Sequence, residues 1–513
     1  MNTAFNLLGR AWNMVIAFLM TPYIMKHMGV DRFGVWALVS VVTGYFGLLD
    51  MGIGTSYVKY ISEHYVKRDF AKINEIVNSG FVFYLAFTAA IMLLAFVLQN
   101  AIIGFFNIPN ELGKETLFVF WVGLLTFCVV NAASSFVAVQ SGLQRMDVYN
   151  KISLVMSVPS VILSIFVLEK GYSLRGLIVV NAIVMILSGL ANAIASFKLL
   201  PQLELSVRHV SKDTFKTLLG YGSKLQVARI ASTITMQIDK LLLSHYMSIG
   251  FVTFFQLASS VIEQVKALPL LLLQALLPAF SELDARGNRA GVIDNYIRGT
   301  RYIALFALPI FALVLVSARD IMLVWMGPGY DQSAIIIRIL AVGWAAAVIS
   351  GVRSVVLQAI AKPGIEMRAG IVAAVLNIPL SVFFIKQFGF AGVALGTSLA
   401  LIVSALYGFS RLNAALHLQN GFYVKTRIPQ VIIGCICAGM IALASTGLLG
   451  GRFGGGRVES MLLLCAQTAV FAAVYAALLR IVQPLDATDI AKLTHAVPGL
   501  PRRLIEKFAS VEN

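Results

Sequence analysis

Apolar residues run for about twenty positions at a time, repeatedly, from one end of this chain to the other. A helix needs roughly twenty such residues to cross the hydrocarbon core of a bilayer. The runs are continuous rather than alternating, which excludes a membrane β-barrel. They predict an all-α polytopic membrane protein of about fourteen transmembrane helices, near 4–25, 34–57, 78–103, 116–140, 150–168, 176–197, 217–245, 250–277, 299–317, 334–360, 368–386, 390–411, 428–449 and 459–482. Gly171 marks the break between the fifth and sixth runs, and Gly389 that between the eleventh and twelfth.

One run breaks the pattern. Leu218 to His245 is long enough to span, yet it carries Lys224, Arg229, Asp239 and Lys240. At helical spacing Gln226, Arg229, Thr233, Gln237 and Lys240 share one face, while Leu225, Ile230, Ile234 and Leu241 lie opposite. Ionisable groups at membrane depth are expensive, so they either pair with neighbouring helices or line a wet cavity. The first run carries a similar stripe of Asn2, Asn6, Arg10 and Asn13.

Composition supports the membrane assignment: 59% of the 513 residues are hydrophobic, 12% are charged and the mean hydropathy is +0.85. The net charge of +16 fits the excess of Lys and Arg in cytoplasmic loops and does not require a nucleic-acid partner. With the N-terminus inside, about 24 basic residues fall on the cytoplasmic side and about 9 outside. Both termini are then cytoplasmic. The first ten residues lack a charged n-region and a cleavage site, so the first run is expected to be a retained span. Cys128, Cys435, Cys437 and Cys465 all sit in apolar runs and read as reduced packing residues.

The chain repeats itself. The fifth and sixth runs and the eleventh and twelfth share an early proline (Pro159, Pro379), a basic residue and a Gly-aromatic pair. The first and seventh runs each start near Leu-Gly and carry a basic stripe. Parallel repeats of this kind predict halves at 1–205 and 206–415, with 416–513 holding two appended spans and a cytoplasmic tail. Loops are short, and there is no Walker-type phosphate loop, metal-ligand cluster or acidic outer loop. ATP hydrolysis and glycosyl transfer by this chain are therefore not expected, nor is any enzyme activity or cofactor.

After the second run, F-G-L-L-D-M-G-I-G-T resembles the D-[L/M]-G-[I/L]-G-T segment of bacterial polysaccharide and O-antigen flippases of the MOP exporter superfamily. T-P-Y-I-M-K-H-M-G-V-D-R-F-G-V-W-A-L and I-D-K-L-L-L-S-H-Y resemble two further segments of that family. The resemblance implies two six-helix lobes in a V plus two C-terminal helices. It also implies a Wzx-type flippase in the bacterial inner membrane, working by alternating access. The cargo implied is an undecaprenyl-diphosphate-linked oligosaccharide destined for O-antigen, exopolysaccharide or capsule. Membrane lipids are then partners, and the expected state is a monomer, with polysaccharide polymerase machinery as a candidate associate.

A diphosphate prefers Arg and Lys. The candidate substrate-binding residues are Arg10, Asn13, Lys224, Arg229, Lys266 and Arg353. Lys266 has Glu263 three residues away as a ready ion pair, whereas Arg10 and Arg353 have no acidic neighbour within a turn. Arg338 and Lys240 lie near the outer ends, where snorkelling is an alternative. Asp239, Asn377 and Thr397 supply oxygens suited to a hard coupling cation such as Na⁺, with H⁺ or the membrane potential as other driving forces. The rival functions are a lipid II flippase, with the same headgroup chemistry, and a cation-coupled drug antiporter, which should show carboxylates in its lumen where this chain has Arg10.

Overall fold

The computed structural model describes residues 2–47, 53–418, 426–450 and 456–482, and their side chains except at 2–11, 13, 46–47, 55, 221–229, 231–232, 234–236, 275, 446–450 and 482. Among the described residues there is no strand. The helices are α1 (Asn2–Met28), α2 (Val30–Gly47), α3 (Ile53–Val66), α4 (Phe70–Phe105), α5 (Gly113–Gly142), α6 (Met146–Glu169) and α7 (Ser173–Leu199). They continue as α8 (Lys212–Tyr246), α9 (Ile249–Ala285), α10 (Arg289–Trp325), α11 (Asp331–Ala359), α12 (Pro363–Phe388), α13 (Phe390–Ala415), α14 (Ile428–Gly450) and α15 (Arg457–Val482). Among the described residues, every predicted run falls on helix. The one element not foreseen is α3, which the pattern merges into the second run.

Eleven of the described helices are long and apolar enough to cross a membrane; α2, α3 and α8 are not among them. In α8 the charged residues lower the hydropathy. The outward faces match a lipid solvent: α6 exposes Leu154, Val155, Val158, Ile162 and Phe166. The chain is a multi-pass membrane protein.

Packing divides the chain into two compact units, Met1–Thr253 and Phe254–Asn513. The boundary lies beyond the expected 205/206 junction because α8 packs on α2, α3 and α4 of the first unit. Side-chain hydrogen bonds help hold it there. Ser56 Oγ donates to Leu218 O at 2.8 Å, and Lys72 Nζ to Thr214 Oγ1 at 2.8 Å. The connector before α8 lies along α4 and is fixed by two buried asparagines. Asn74 binds Gln202 O and Glu204 N at 2.8 and 3.0 Å, and Asn78 binds Glu204 O and Ser206 N at 2.7 and 2.8 Å. Each amide thus satisfies one donor and one acceptor of a strandless segment. Ser211 then caps α8 by accepting from Thr214 N.

These contacts sort the loops of the first unit to two ends. At one end the α3–α4 turn, with Lys67, Arg68 and Lys72, meets the connector, with Arg208 and Lys212. Lys67 there donates to the exposed Glu63 carboxylate and holds its pKa below the usual range. Ser62 Oγ donates to Gly142 O, which brings the end of α5 to the same place. At the other end Asn107 Nδ2 donates to His245 O and Met247 O at 2.7 and 3.0 Å. Tyr23 Oη there donates to Glu169 Oε1, and Arg32 pairs with Glu115 at 3.1 Å. Together α2 and α3 therefore travel from one end to the other.

In the second unit α13 is the most buried spanning helix, packed on α11 and α12. The appended pair α14–α15 packs on α10, burying Val431, Cys435, Ala438, Phe471 and Tyr475 against Leu305 and Leu308. All four cysteines are free; Cys128 and Cys435 are buried, Cys437 is half-buried and Cys465 exposed. The sequence repeat has a structural counterpart: α6 and α12 each contain the shared proline, and each is followed by a glycine with positive φ, Gly171 at 79° and Gly389 at 59°.

Candidate functional site

Two of the predicted cations are described, and both belong to the second unit. Lys266 on α9 is 4% exposed. Its Nζ lies 2.6 Å from Glu263 Oε1, the partner one turn earlier, and 3.6 Å from the centre of the Trp344 ring on α11. The ammonium is neutralised on one side and covered by a π face on the other, an arrangement that compensates for burial. Lys266 is thus held by two partners of its own unit.

Arg353, on α11, is also 4% exposed. Its Nη2 lies 3.1 Å from Glu366 Oε2 on α12, and Nη1 donates to Ser404 O on α13 at 3.4 Å. The carboxylate contact is off hydrogen-bond alignment, and Nε has no hydrogen-bond partner among the described residues. A guanidinium has five N–H donors, so this one is buried with capacity left over. Gly408 on α13 makes room for it: a Cβ there would run into the guanidinium. Glu366, Trp344 and Gly408 are site residues that the sequence did not announce. Glu366 lies beyond one helical turn of Arg353 and reaches it across the short turn between α11 and α12. That hairpin spacing was the available signal for Glu366. The local pattern gives none for Trp344.

Asn377 and Thr397 lie side by side, Nδ2 donating to Oγ1 at 2.9 Å between α12 and α13. Both are buried, and Asn377 Oδ1 has no hydrogen-bond partner among the described residues. Asp239 is buried in α8 of the first unit. Lys240 is buried as well, with Nζ 2.9 Å from Gln237 Oε1, while Arg338 is exposed. The snorkelling alternative therefore fits Arg338 and not Lys240. The side chains of Arg10, Asn13, Lys224 and Arg229 lie outside the described residues. No group of three or more His, Cys, Asp or Glu side chains suited to a metal occurs among the described residues.

A buried, incompletely satisfied guanidinium in an apolar helix bundle is suited to accepting an anionic group. The family model for "Polysaccharide biosynthesis protein" matches residues 28–335. The chain is 22% identical to the "Putative O-antigen transporter" of Shigella flexneri over 79% of its own length and 95% of the relative's. It is 22% identical to the "Probable low-salt glycan biosynthesis flippase Agl15" of Haloferax volcanii, over 94% of this chain and 96% of that one. Among solved structures, the lipid II flippase MurJ in an inward closed conformation superposes with a TM-score of 0.71 at 15% identity, covering 94% of this chain and 99% of MurJ. An inward-facing multidrug MATE transporter of the MOP superfamily gives 0.63 at 15% identity, over 78% and 96%. The fold is that of MurJ and MATE transporters.

Proposed function

Since this chain belongs to the polysaccharide biosynthesis protein family, we propose that it is the flippase of a glycan pathway, moving a lipid-linked oligosaccharide across a membrane. The finer reading is an undecaprenyl-diphosphate carrier, flipped across the bacterial inner membrane by alternating access for O-antigen, exopolysaccharide or capsule assembly. The observation that carries it is Arg353: a cation buried in apolar helices, paired off-axis with Glu366 and holding an unused Nε donor. A diphosphate oxygen would complete that donor set, with Glu366 yielding as the substrate arrives. Arg10, Asn13, Lys224, Arg229 and Lys266 belong to the same proposal as further headgroup contacts.

The test is complementation of a strain lacking its O-antigen flippase, scored as surface polysaccharide. Wild-type restoration, with loss in well-expressed Arg10→Ala and Arg353→Ala, is the expected result. Normal transport by both variants overturns the basic-site argument. Rescue of a strain depleted of its lipid II flippase moves the substrate assignment to lipid II. Sodium coupling is proposed on the Asn377–Thr397 pair, with Asp239 as an independent candidate. It is rejected if replacing Na⁺ at constant membrane potential leaves transport unchanged. A monomeric state, and association with polymerase machinery, are proposed alongside and are read from crosslinking in native membranes.

A further inference from the structure

The first unit contains a cavity of about 640 Å³ whose chemistry differs from that of the buried cations. Three helices turn one polar stripe each toward it. From α5 come Ser134 and Ser141, one face apart by two turns. From α6 come Tyr149, Ser153, Ser157 and Ser160, at steps of four, four and three. From α7 come Asn181, Ser188 and Asn192. No charged side chain lines it among the described residues. Between the hydroxyls and amides lie apolar patches such as Val137, Met156 and Val161.

This sorting is specific. The opposite face of α6 presents Leu154, Val155, Val158 and Ile162 outward, and that of α7 presents Ile183, Leu187 and Leu190. A cavity of about 630 Å³ in the second unit is lined by aliphatic, aromatic and small residues with no hydroxyl or amide among them. Hydroxyls at membrane depth are costly unless they bond to something. Some of these do: Trp12 Nε1 donates to Ser157 Oγ at 2.9 Å, and Asn192 Nδ2 to Ser188 O at 2.8 Å. Buried Gln140 in turn braces Asn192 from behind, with Nε2 3.1 Å from its Oδ1. Among the described residues, no hydrogen bond is made by the side chains of Ser153, Ser160 or Asn181. All three residues line the cavity.

We infer that this cavity is a subsite for the neutral sugar part of the cargo; the inference rests on the flippase reading above. Neutral donors and acceptors interleaved with apolar patches match a sugar ring, which shows hydroxyls at its rim and C–H groups on its faces. The described lining carries no charge, which favours a neutral ligand over a phosphate. The volume lies within the range of about 300–1,000 Å³ usual for small-molecule sites. A site built of hydroxyl and amide groups discriminates strongly, because the wrong ligand leaves those groups unpaired.

The test uses the full chain in nanodiscs and two probes: undecaprenyl diphosphate, and the undecaprenyl-diphosphate-linked oligosaccharide extracted from the native host. Wild type is expected to bind the glycosylated probe at least tenfold more tightly than the bare one. In the combined variant Ser153→Ala, Ser160→Ala, Asn181→Ala that preference falls to within twofold, with affinity for the bare probe unchanged. The single variant Ser160→Phe, which fills the cavity, gives the same selective loss. A preference retained in both variants overturns the subsite, as does an equal loss on both probes, which marks a structural role only. No preference in wild type overturns the subsite and leaves the flippase standing. Wild type binding neither probe overturns the flippase reading itself, and with it the subsite.

Discussion

Arg353 stands where three helices meet: α11 carries it, α12 offers Glu366 and α13 gives way at Gly408. Removing the guanidinium strands Glu366 Oε2, which is buried, but the side chain as a whole is 36% exposed and can turn toward solvent. Arg353→Ala should therefore lower stability by about 1–3 kcal/mol, less than the roughly 3–5 kcal/mol of a fully buried pair. Thermal unfolding in detergent checks this, and transport should fall at least tenfold. Gly408→Ala should reproduce the transport loss although it removes no charge, because its Cβ displaces the guanidinium. Glu366→Gln should keep more than half of transport, since it leaves Arg353 in place and less engaged. Lys266 offers a contrast. Its pairing with Glu263 was legible because both lie on one helix at a fixed offset. The Trp344 face was not, since no local rule says which residue of another helix lies opposite. Trp344→Leu should cost about 2 kcal/mol of stability, the scale of a desolvated cation–π contact, and Trp344→Phe distinctly less.

At the scale of elements, period and run length located the helices, because an apolar run in lipid has only one way to satisfy its backbone. The separate helix α3 was less legible. Its 14 residues are too short to span and too apolar to read as a loop, and Thr55, Ser56 and Lys59 do not interrupt the periodicity. The hairpin turns were marked by glycine for a steric reason. Gly389 sits at φ 59° and ψ −133°, a region closed to residues with a Cβ. Gly389→Ala should destabilise by about 1–3 kcal/mol, and Gly389→Asn should not rescue it, because asparagine tolerates left-handed helical ψ and not this one. The connector makes a different prediction. Asn74 and Asn78 together hold it by four hydrogen bonds, two per amide. The double variant Asn74→Ala, Asn78→Ala should release it, seen as at least tenfold faster trypsin cleavage near Arg208 and Lys212 in detergent. Unchanged cleavage would mean that Ser211 and the α8 contacts suffice.

For the whole molecule, the legible quantity is the order of the passes; the illegible one is how they group. The sequence repeat placed a boundary at 205/206, yet compact packing divides after Thr253, because α8 carries polar contacts to α3 and α4 that no periodicity reports. In the first unit the α3–α4 turn and the α7–α8 connector share one end, and their Lys and Arg residues are therefore concentrated there. The α4–α5 and α8–α9 junctions share the other, held by Asn107. The positive-inside bias predicts that the first of these ends faces the cytoplasm. With Cys128, Cys435, Cys437 and Cys465 replaced, single cysteines at Asn110, Arg208 and Arg286 report the answer. In intact spheroplasts a membrane-impermeant maleimide should label Asn110→Cys and spare the other two; permeabilised cells should label all three. A C-terminal green fluorescent fusion should fluoresce, because an even number of crossings returns the chain to the side it started from. A dark fusion with the same cysteine pattern would mean an odd number of crossings, and would place the discrepancy after Arg286. The reverse cysteine pattern would invert the molecule, leaving the basic ends outside and removing the electrostatic argument for cargo entering from the cytoplasm.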